Sequence, residues 1–417
     1  MNFAHWTTLL TWIIALASIL LMLFRPRNIA EYIWISLGAL TLVATRLLPL
    51  RAAAHAIGEG VDVYFFLTGM MILAELARVE GVFDWVADLS VHHSKGAPAR
   101  LFVLIYLAGI IVTVFLSNDA TAVVMTPAVL AAVRRARVEP RPYLLACALI
   151  ANAASFVLPI ANPANLVIYG NTLPPLAPWL RIFLLPSVVS IVVTFLVLRV
   201  LTRRSLAGSM NAESDGIALS AEGRLAVTGI CVAAVTLLVS SGLGLQLGFP
   251  TLVTGLFALA LISIRNRRVW KAVLGGFSWS VLPLVAGLFM IVAALNRAGM
   301  LRITQFGLTW LAHASDGYGK FIGAFAVALL SNIMNNLPIG LASGSALQQM
   351  HSSGVLTHAV LIGVDLGPNL SVTGSLATIL WLIALRRENA EISAWEFLKI
   401  GMVVMPVSLA AAIFALR

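Results

Sequence analysis

Two short polar clusters, each ending at or followed by a proline, interrupt long apolar stretches in the two halves of the sequence. The first runs from Ser117 to Thr121 ahead of Pro127, and the second runs from Ser331 to Pro338. Unpaired polar groups in hydrocarbon cost several kcal/mol each, so such breaks persist only where protein or a wet cavity surrounds them. Two of them in corresponding positions of two halves are typical of a solute-binding site near the membrane midplane.

Two further breaks lie in long apolar stretches. The stretch 142–170 is interrupted between Pro159 and Asn165, and the stretch 357–385 is interrupted after Asp365. Hairpin tips and broken helices both expose half-helix ends, whose free N–H groups and carbonyls hold solutes or ions. We therefore expect the neutral polar residues of all four breaks to bind the solute: Asn118, Thr121, Asn162, Asn165, Asn332, Asn335, Asn336, Asn369, Thr373 and Ser375. The alternative for any single asparagine is that it only caps a half-helix.

Acidic residues within the apolar stretches are the candidates for proton exchange. A carboxylate at the centre of a membrane helix costs about 2.5–3.5 kcal/mol on insertion scales, so it is functional by default. Asp119 and Asp365 lie at such positions, and Glu75 is a third candidate that could instead pair with a neighbouring helix. For Glu59 and Asp62 the favoured interpretation is a solvated helix end.

The composition excludes a soluble globular chain. Of the 417 residues, 60% are apolar and 11% are charged, whereas soluble proteins carry about 25% charged residues. Apolar runs of about 20 residues recur, the length at which a helix crosses a bilayer. The net charge of +10 comes from basic residues in short loops, which indicates membrane topology and not nucleic-acid binding.

No motif in the sequence indicates an enzyme or a resident cofactor. Zinc-binding, nucleophile-elbow and phosphate-loop patterns are missing from the sequence. Cys147 and Cys231 are single residues within apolar spans, where cysteine usually packs as a small hydrophobic residue. We expect no metal and no cofactor. A membrane enzyme would need a nucleophile and a base at one depth, and a passive channel would conduct without coupling to pH.

The order of elements predicts two repeats. The first covers 1–203, with a re-entrant hairpin at 100–135 and a broken helix at 142–170. A polar linker, 204–223, precedes the second repeat, 224–417. The hairpin of that repeat is expected at 319–350 and its broken helix at 357–385. Each repeat would hold five membrane crossings and one hairpin, so the second would be inverted relative to the first.

The other elements follow the same order in both repeats. Further spans are expected at 6–24, 29–48, 61–79, 179–202, 224–242, 249–265, 280–298 and 394–416, with interfacial helices at 82–94 and 300–313. The segment Leu67–Met70 aligns with Val285–Leu288 without a gap. Basic residues collect in the loops on one side, which places both termini outside.

Four stretches carry a resemblance to a known family: 114–127, 158–166, 331–338 and 365–378. In them the sequence resembles the arsenical pump membrane proteins (ArsB), within an ion transporter superfamily that includes NhaD antiporters and dicarboxylate carriers. The departure is Val372, where the family pattern has proline. Dicarboxylate carriers have Ser-Asn-Thr at both tips, whereas Asp119 and Ile333 occupy the third positions here. This difference argues against a sodium-coupled carboxylate site.

The resemblance implies efflux of arsenite and antimonite across a bacterial inner membrane, driven by proton exchange, or by ATP when an ArsA-type ATPase docks. Trivalent arsenic at neutral pH is mostly an uncharged hydroxide, which suits a ring of neutral amides and hydroxyls. The fold that the resemblance implies is an elevator, in which a hairpin-bearing domain moves against a scaffold. A sodium/proton antiporter of the same fold is the alternative, and a homodimer stays open.

Overall fold

The computed structural model describes residues 3–210, 216, 218–313, 318–350, 354–390 and 392–417, and within them the chain forms helices and no strand. Helices satisfy every backbone hydrogen bond internally, as hydrocarbon requires. In the first half the helices are α1 (Phe3–Phe24), α2 (Glu31–Ala44), α3 (Leu50–Glu59), α4 (Val61–Val79), α5 (Val82–His93), α6 (Pro98–Phe115), α7 (Thr126–Arg135), α8 (Arg141–Ala153), α9 (Pro163–Tyr169) and α10 (Leu176–Leu201).

The second half passes through the same order of elements. Its helices are α11 (Ala221–Gly242), α12 (Gly248–Arg265), α13 (Val269–Gly276), α14 (Val281–Arg297), α15 (Met300–His313), α16 (Tyr318–Met334), α17 (Asn336–Gln349), α18 (Val355–Leu366), α19 (Leu376–Arg387) and α20 (Ala394–Ala415). The short helices α3 and α13 have no counterpart among the sequence-based expectations, and they occupy corresponding positions in the two halves.

Seven helices among the described residues are long and apolar enough to cross a membrane, and α3 with α4 forms a further candidate span, bent by 47°. Two shorter apolar helices are α2 and α16. The expectation of an all-α polytopic chain is therefore confirmed.

One group of helices packs through close backbone approaches. These scaffold helices are α1, α2, α4, α11, α12 and α14, in which α4 packs on α12 and α2 on α14. A methyl group at Gly69 of α4 would collide with the backbone of Thr251, and one at Gly287 of α14 would meet Ile35 of α2. The two glycines that the sequence aligns thus occupy corresponding helix crossings.

The second group contains the hairpins and the broken helices. This hairpin bundle comprises α6 to α10 and α16 to α20, with α6 against α8, α16 against α18 and α10 against α20. Ion pairing also joins the halves, because Arg141 at the start of α8 contacts Glu396 of α20 at 2.6 Å. The bundle is built from both halves of the chain.

The first hairpin turns through a widened helical segment. Residues Ala120–Met125 form a π-helix between the tip and α7. Pro127 has no N–H to donate and its ring crowds the preceding turn, while the Thr126 hydroxyl donates to the Thr121 carbonyl at 3.2 Å. Such π segments are frequent at functional sites.

Candidate functional site

All four interruptions meet at a small cavity between the hairpin bundle and the scaffold helices. Its polar lining is Asn118, Asp119, Asn162, Asn336 and Ser375. The scaffold contributes an apolar face, made by Leu67 of α4 with Val281 and Val285 of α14. The cavity measures about 20 Å³, which is room for one water molecule.

Helix N-termini surround this cavity. The π segment begins after Asp119, α17 begins at Asn336, and α19 begins after Ser375. The seven-residue α9 begins after Asn162. N-terminal N–H groups carry a partial positive charge. The cavity is therefore a site for electron-rich oxygen atoms of a solute.

Asn118 and Asp119 present the first hairpin tip to the cavity. The side-chain oxygen of Asn118 accepts from the backbone N–H of Asp119 at 2.9 Å, so its amide group is held in place while its NH₂ remains available. Asp119 is half-buried. Its carboxyl group has no hydrogen-bond or ion-pair partner among the described residues, and it also lines the second cavity described below.

Asn162 and Ser375 combine capping with cavity lining. The Asn162 side chain accepts from the N–H of Ala164 at 3.0 Å and so caps α9. Ser375 accepts from the N–H of Thr378 at 3.2 Å as the cap of α19, and the Thr378 hydroxyl completes a capping box. The capping interpretation and the binding interpretation therefore apply to the same side chains.

The second hairpin tip uses its asparagines differently. Asn336 lines the cavity, but the Asn332 side chain is engaged in the second break. Asn332 donates to the carbonyls of Ala328 and Gly367 and accepts from the N–H and hydroxyl of Ser371. Asn335 caps α17 in a left-handed conformation with φ of 74°.

Asp365 lies away from the cavity, in a sealed polar network that joins the two broken helices. Its carboxyl contacts the Ser155 hydroxyl at 2.8 Å and the amide NH₂ of Asn162 at 2.9 Å. Beside it, Asn152 donates to the side-chain oxygen of Asn369 at 3.0 Å, and Asn369 donates to the carbonyl of Leu149. Asp365 and Asn369 are fully buried.

The other expected site residues form hydrogen bonds within the hairpins and the broken helices and do not line the small cavity. Thr121 contacts the hydroxyl of Thr113 at 2.8 Å, inside the first hairpin. Asn165 donates to the carbonyl of Ser155, and Thr373 donates to the carbonyl of Asn332. Sequence reasoning missed four polar residues that join these networks: Asn152, Ser155, Ser371 and Thr378. Their nearness to the breaks was the available signal.

A second, larger cavity approaches Asp119 from the end of α4 that carries Glu75. It measures about 60 Å³ and is lined by Glu75, Ser117, Asp119 and Ser278 among mostly apolar residues. Glu75 forms an ion pair with Arg78 at 2.7 Å. Glu75 therefore pairs within its own helix and not with the neighbouring helix that the alternative expected, and it shares a cavity lining with Asp119.

A vestibule of about 940 Å³ opens on the opposite side. It lies between α3, α9, α14 and α17 and includes Glu59, Asp62 and Arg297 in its lining. Asp62 accepts from the N–H of Gly248 at 2.8 Å and so satisfies the start of α12. Among the described residues, no group of three or more histidine, cysteine, aspartate or glutamate side chains could hold a metal ion.

Cavities on either side of a polar site, within a bundle of apolar helices, are typical of a membrane transporter. The chain belongs to the citrate transporter family (CitMHS), which matches residues 6–384. The family membership agrees with the transporter class expected from the breaks.

Relatives of known name agree with this assignment. An arsenical pump membrane protein from Escherichia coli is 28% identical over 353 residues, covering 81% of this chain and 82% of that protein. A second such protein, from strain K12 of Escherichia coli, is 25% identical over 416 residues and covers 96% of each. An uncharacterised transporter from Mycobacterium tuberculosis is 28% identical over 378 residues, covering 86% of each. The resemblance to arsenical pump membrane proteins is confirmed.

Solved structures share the fold. The YdaH transporter of Alcanivorax borkumensis superimposes with a TM-score of 0.57 at 15% identity, covering 92% of this chain and 96% of that one. MtrF of Neisseria gonorrhoeae gives a TM-score of 0.50 at 15% identity, with 88% and 83% covered. The expected ion-transporter type of fold is confirmed by this likeness.

Proposed function

We propose that this protein exports arsenite and antimonite, as neutral hydroxides, in exchange for protons. The observation that carries the proposal is the polar lining of the small cavity, which consists of neutral amides and a hydroxyl with Asp119 and includes no lysine or arginine. An uncharged trihydroxide has several hydroxyl groups, each of which both donates and accepts. Neutral amides and helix N-termini match that pattern without needing a counter-charge.

Alternating access would proceed by movement of the hairpin bundle against the scaffold helices. With space for about one water molecule, the cavity must widen before a glycerol-sized hydroxide enters. The scaffold side of the cavity consists of Leu67, Val281 and Val285, which make no directional bonds. A bundle sliding along such a surface breaks no hydrogen bond there, and this supports an elevator mechanism.

The membrane orientation we propose has both termini outside in a bacterial inner membrane. Contacts between distant loops support it, because each joins loops that the positive charges assign to one side. Arg134 donates to the carbonyl of Glu388 at 2.7 Å on the proposed inner side. Lys320 donates to the carbonyl of Leu416 at 2.6 Å on the proposed outer side. The repeats 1–203 and 224–417 would then be inverted.

The test is arsenite uptake into everted membrane vesicles with an imposed pH gradient. We expect the full-length protein to accumulate arsenite when the vesicle interior is acidic, and collapse of the gradient to abolish the accumulation. Antimonite should compete, and citrate should not, since a trivalent anion would face Asp119 without a cationic side chain. Accumulation of citrate but not of arsenite would refute the proposal. Vesicles without an added ATPase subunit also show whether an ArsA-type partner is required.

A sodium/proton antiporter is the second candidate. Asp119 lines the cavity, Asp365 is bonded to the cavity-lining Asn162, and a cation exchanger needs such carboxylates. The same vesicles distinguish the candidates. Proton movement that depends on sodium and is indifferent to arsenite would establish the antiporter.

A further inference from the structure

The hydroxyl of Ser155 makes two contacts that one proton cannot serve. Its oxygen lies 2.8 Å from the Asp365 carboxyl and 2.8 Å from the backbone carbonyl of Asn152. A serine hydroxyl has one proton to donate, and a carbonyl only accepts. With an ionised Asp365, one of the two contacts would bring two acceptors together without a proton.

A proton on Asp365 resolves this geometry. The carboxyl O–H then donates to Ser155, the Ser155 hydroxyl donates to the Asn152 carbonyl, and the other carboxyl oxygen accepts from Asn162 at 2.9 Å. Every short contact then contains one donor and one acceptor. Fully buried polar groups are normally satisfied in this way.

In the part of the chain that the structure describes, no cationic side chain contacts Asp365. On α18 and the helices packed against it, the charged or titratable residues are His358, Arg141, Tyr143, Cys147, Tyr169, Tyr318, Lys320, Glu396 and Lys399. None of these is hydrogen-bonded or ion-paired to Asp365 among the described residues. Asp365 also lies at the C-terminal ends of α18 and, through Ser155, of α8. Those ends carry partial negative charge, which opposes a carboxylate.

We propose that Asp365 holds the exchanged proton in this conformation and that Asn162 transmits its release to the solute cavity. The proposal rests on the proposed proton-coupled export and names the acid that serves it. The Asn162 amide spans both sites: its NH₂ donates to Asp365, and its oxygen caps α9 at the cavity lining.

Release of the proton changes the donors around the carboxyl. The single Ser155 proton then turns to the carboxylate and leaves the Asn152 carbonyl, while Asn162 is held more strongly by the charged oxygen. Asn162 lines the cavity, so its displacement changes the arrangement of donors that the solute meets. Proton binding and solute binding are thereby coupled through one amide.

Infrared spectroscopy of the purified full-length protein tests the assignment without any solute. We expect a protonated carboxylic acid C=O band at neutral pH that is lost in Asp365→Asn and kept in Asp119→Asn, the matched substitution at the other acid. In Asp365→Asn the amide oxygen accepts from Asn162 and the amide nitrogen donates to Ser155, so the network persists. A band that is missing from the wild type, or that survives in Asp365→Asn, would overturn the assignment.

A second variant, Ser155→Ala, tests the assignment even if Asp365→Asn does not fold. Ser155→Ala removes the oxygen to which the carboxyl O–H donates, so the same band should move to higher frequency without being lost. An unchanged frequency would contradict the inference. The vesicle experiment tests the proposed export independently of the infrared experiment. Wild-type vesicles that accumulate neither arsenite nor antimonite would refute the proposed solute, whereas the band would still identify the proton site.

Discussion

The two hairpin tips occupy corresponding positions in the two halves but put their asparagines to different uses. At the first tip Asn118 faces the cavity, and the free carboxylate of Asp119 lies beside it. At the second tip Asn332 is engaged by the adjacent break, and Asn336, four residues later, reaches the cavity. The first tip thus exposes an amide and a carboxyl group to the cavity. The second tip uses its asparagine to hold the hairpin against the break between α18 and α19.

The two acids, Asp119 and Asp365, also differ in exposure to the cavities. Asp119 lies at the start of a helical segment and faces two cavities. Asp365 lies at the end of a helix, sealed among neutral polar groups. The two carboxyls therefore differ in their access to cavities and in their hydrogen-bond partners.

Asn332→Ala should give the largest effect on stability. The substitution leaves the Ser371 N–H without its partner. It also removes the bonds of Asn332 to the Ser371 hydroxyl and to the Gly367 carbonyl, which keep Thr373 and the Leu370 N–H as partners. The loss should cost about 2–4 kcal/mol of unfolding free energy. Unfolding in detergent, followed by thermal or denaturant titration, measures the loss. Ile333→Ala is the control, because Ile333 is 58% exposed and makes no polar contact. Equal stability of the two variants would remove the contrast between the tips.

Alanine substitutions at the two glycine crossings, Gly69 and Gly287, should change the unfolding free energy by different amounts, both smaller than the loss in Asn332→Ala. Gly69→Ala places a methyl group against the backbone of Thr251, which cannot move aside, so we expect a loss of about 1–3 kcal/mol. In Gly287→Ala the nearest atom is the Ile35 Cγ2 methyl, 2.7 Å from the new carbon, and the Ile35 backbone is 3.4 Å away, so the overlap with backbone is smaller than at Gly69. The same unfolding measurement compares the pair. A larger loss from Gly287→Ala would mean that the crossings do not differ as described.

Asn118→Ala should weaken transport and cost less stability than Asn332→Ala, because its side chain serves one backbone N–H. Removal of one neutral hydrogen bond to the solute, worth about 1.4 kcal/mol, should raise the KM for arsenite in everted vesicles about tenfold. Asn336→Ala should behave alike, because both amides face the same cavity. A KM that responds to Asn332→Ala and not to Asn118→Ala would reverse the roles assigned to the two tips.

Helix positions could be predicted because hydropathy and proline placement determine them locally. The expected span 61–79 coincides with α4, and the interfacial helix 300–313 coincides with α15. The short α13 was missed, since eight residues that follow a basic loop carry too little periodicity.

The assignment of side chains within the breaks could not be predicted in the same way. Whether Asn332 or Asn336 reaches the cavity depends on the left-handed turn at Asn335 and on contacts with Ser371. The partners of Asp365 lie 203 and 210 residues away in sequence. No local pattern predicts such pairings, so the proton network emerges only from the three-dimensional arrangement.

The cross-half network also has a consequence for biosynthesis. Asn152 and Asn369 are separated by 217 residues, and a ribosome adding about 5–20 residues per second needs about 10–40 s to make the second after the first. During that interval the polar groups of the first break have entered the membrane region without their partners. The nascent first half must therefore wait beside water or the insertion machinery until α18 arrives, and a ribosome stalled within the second half would leave an intermediate with exposed amides for quality control to recognise.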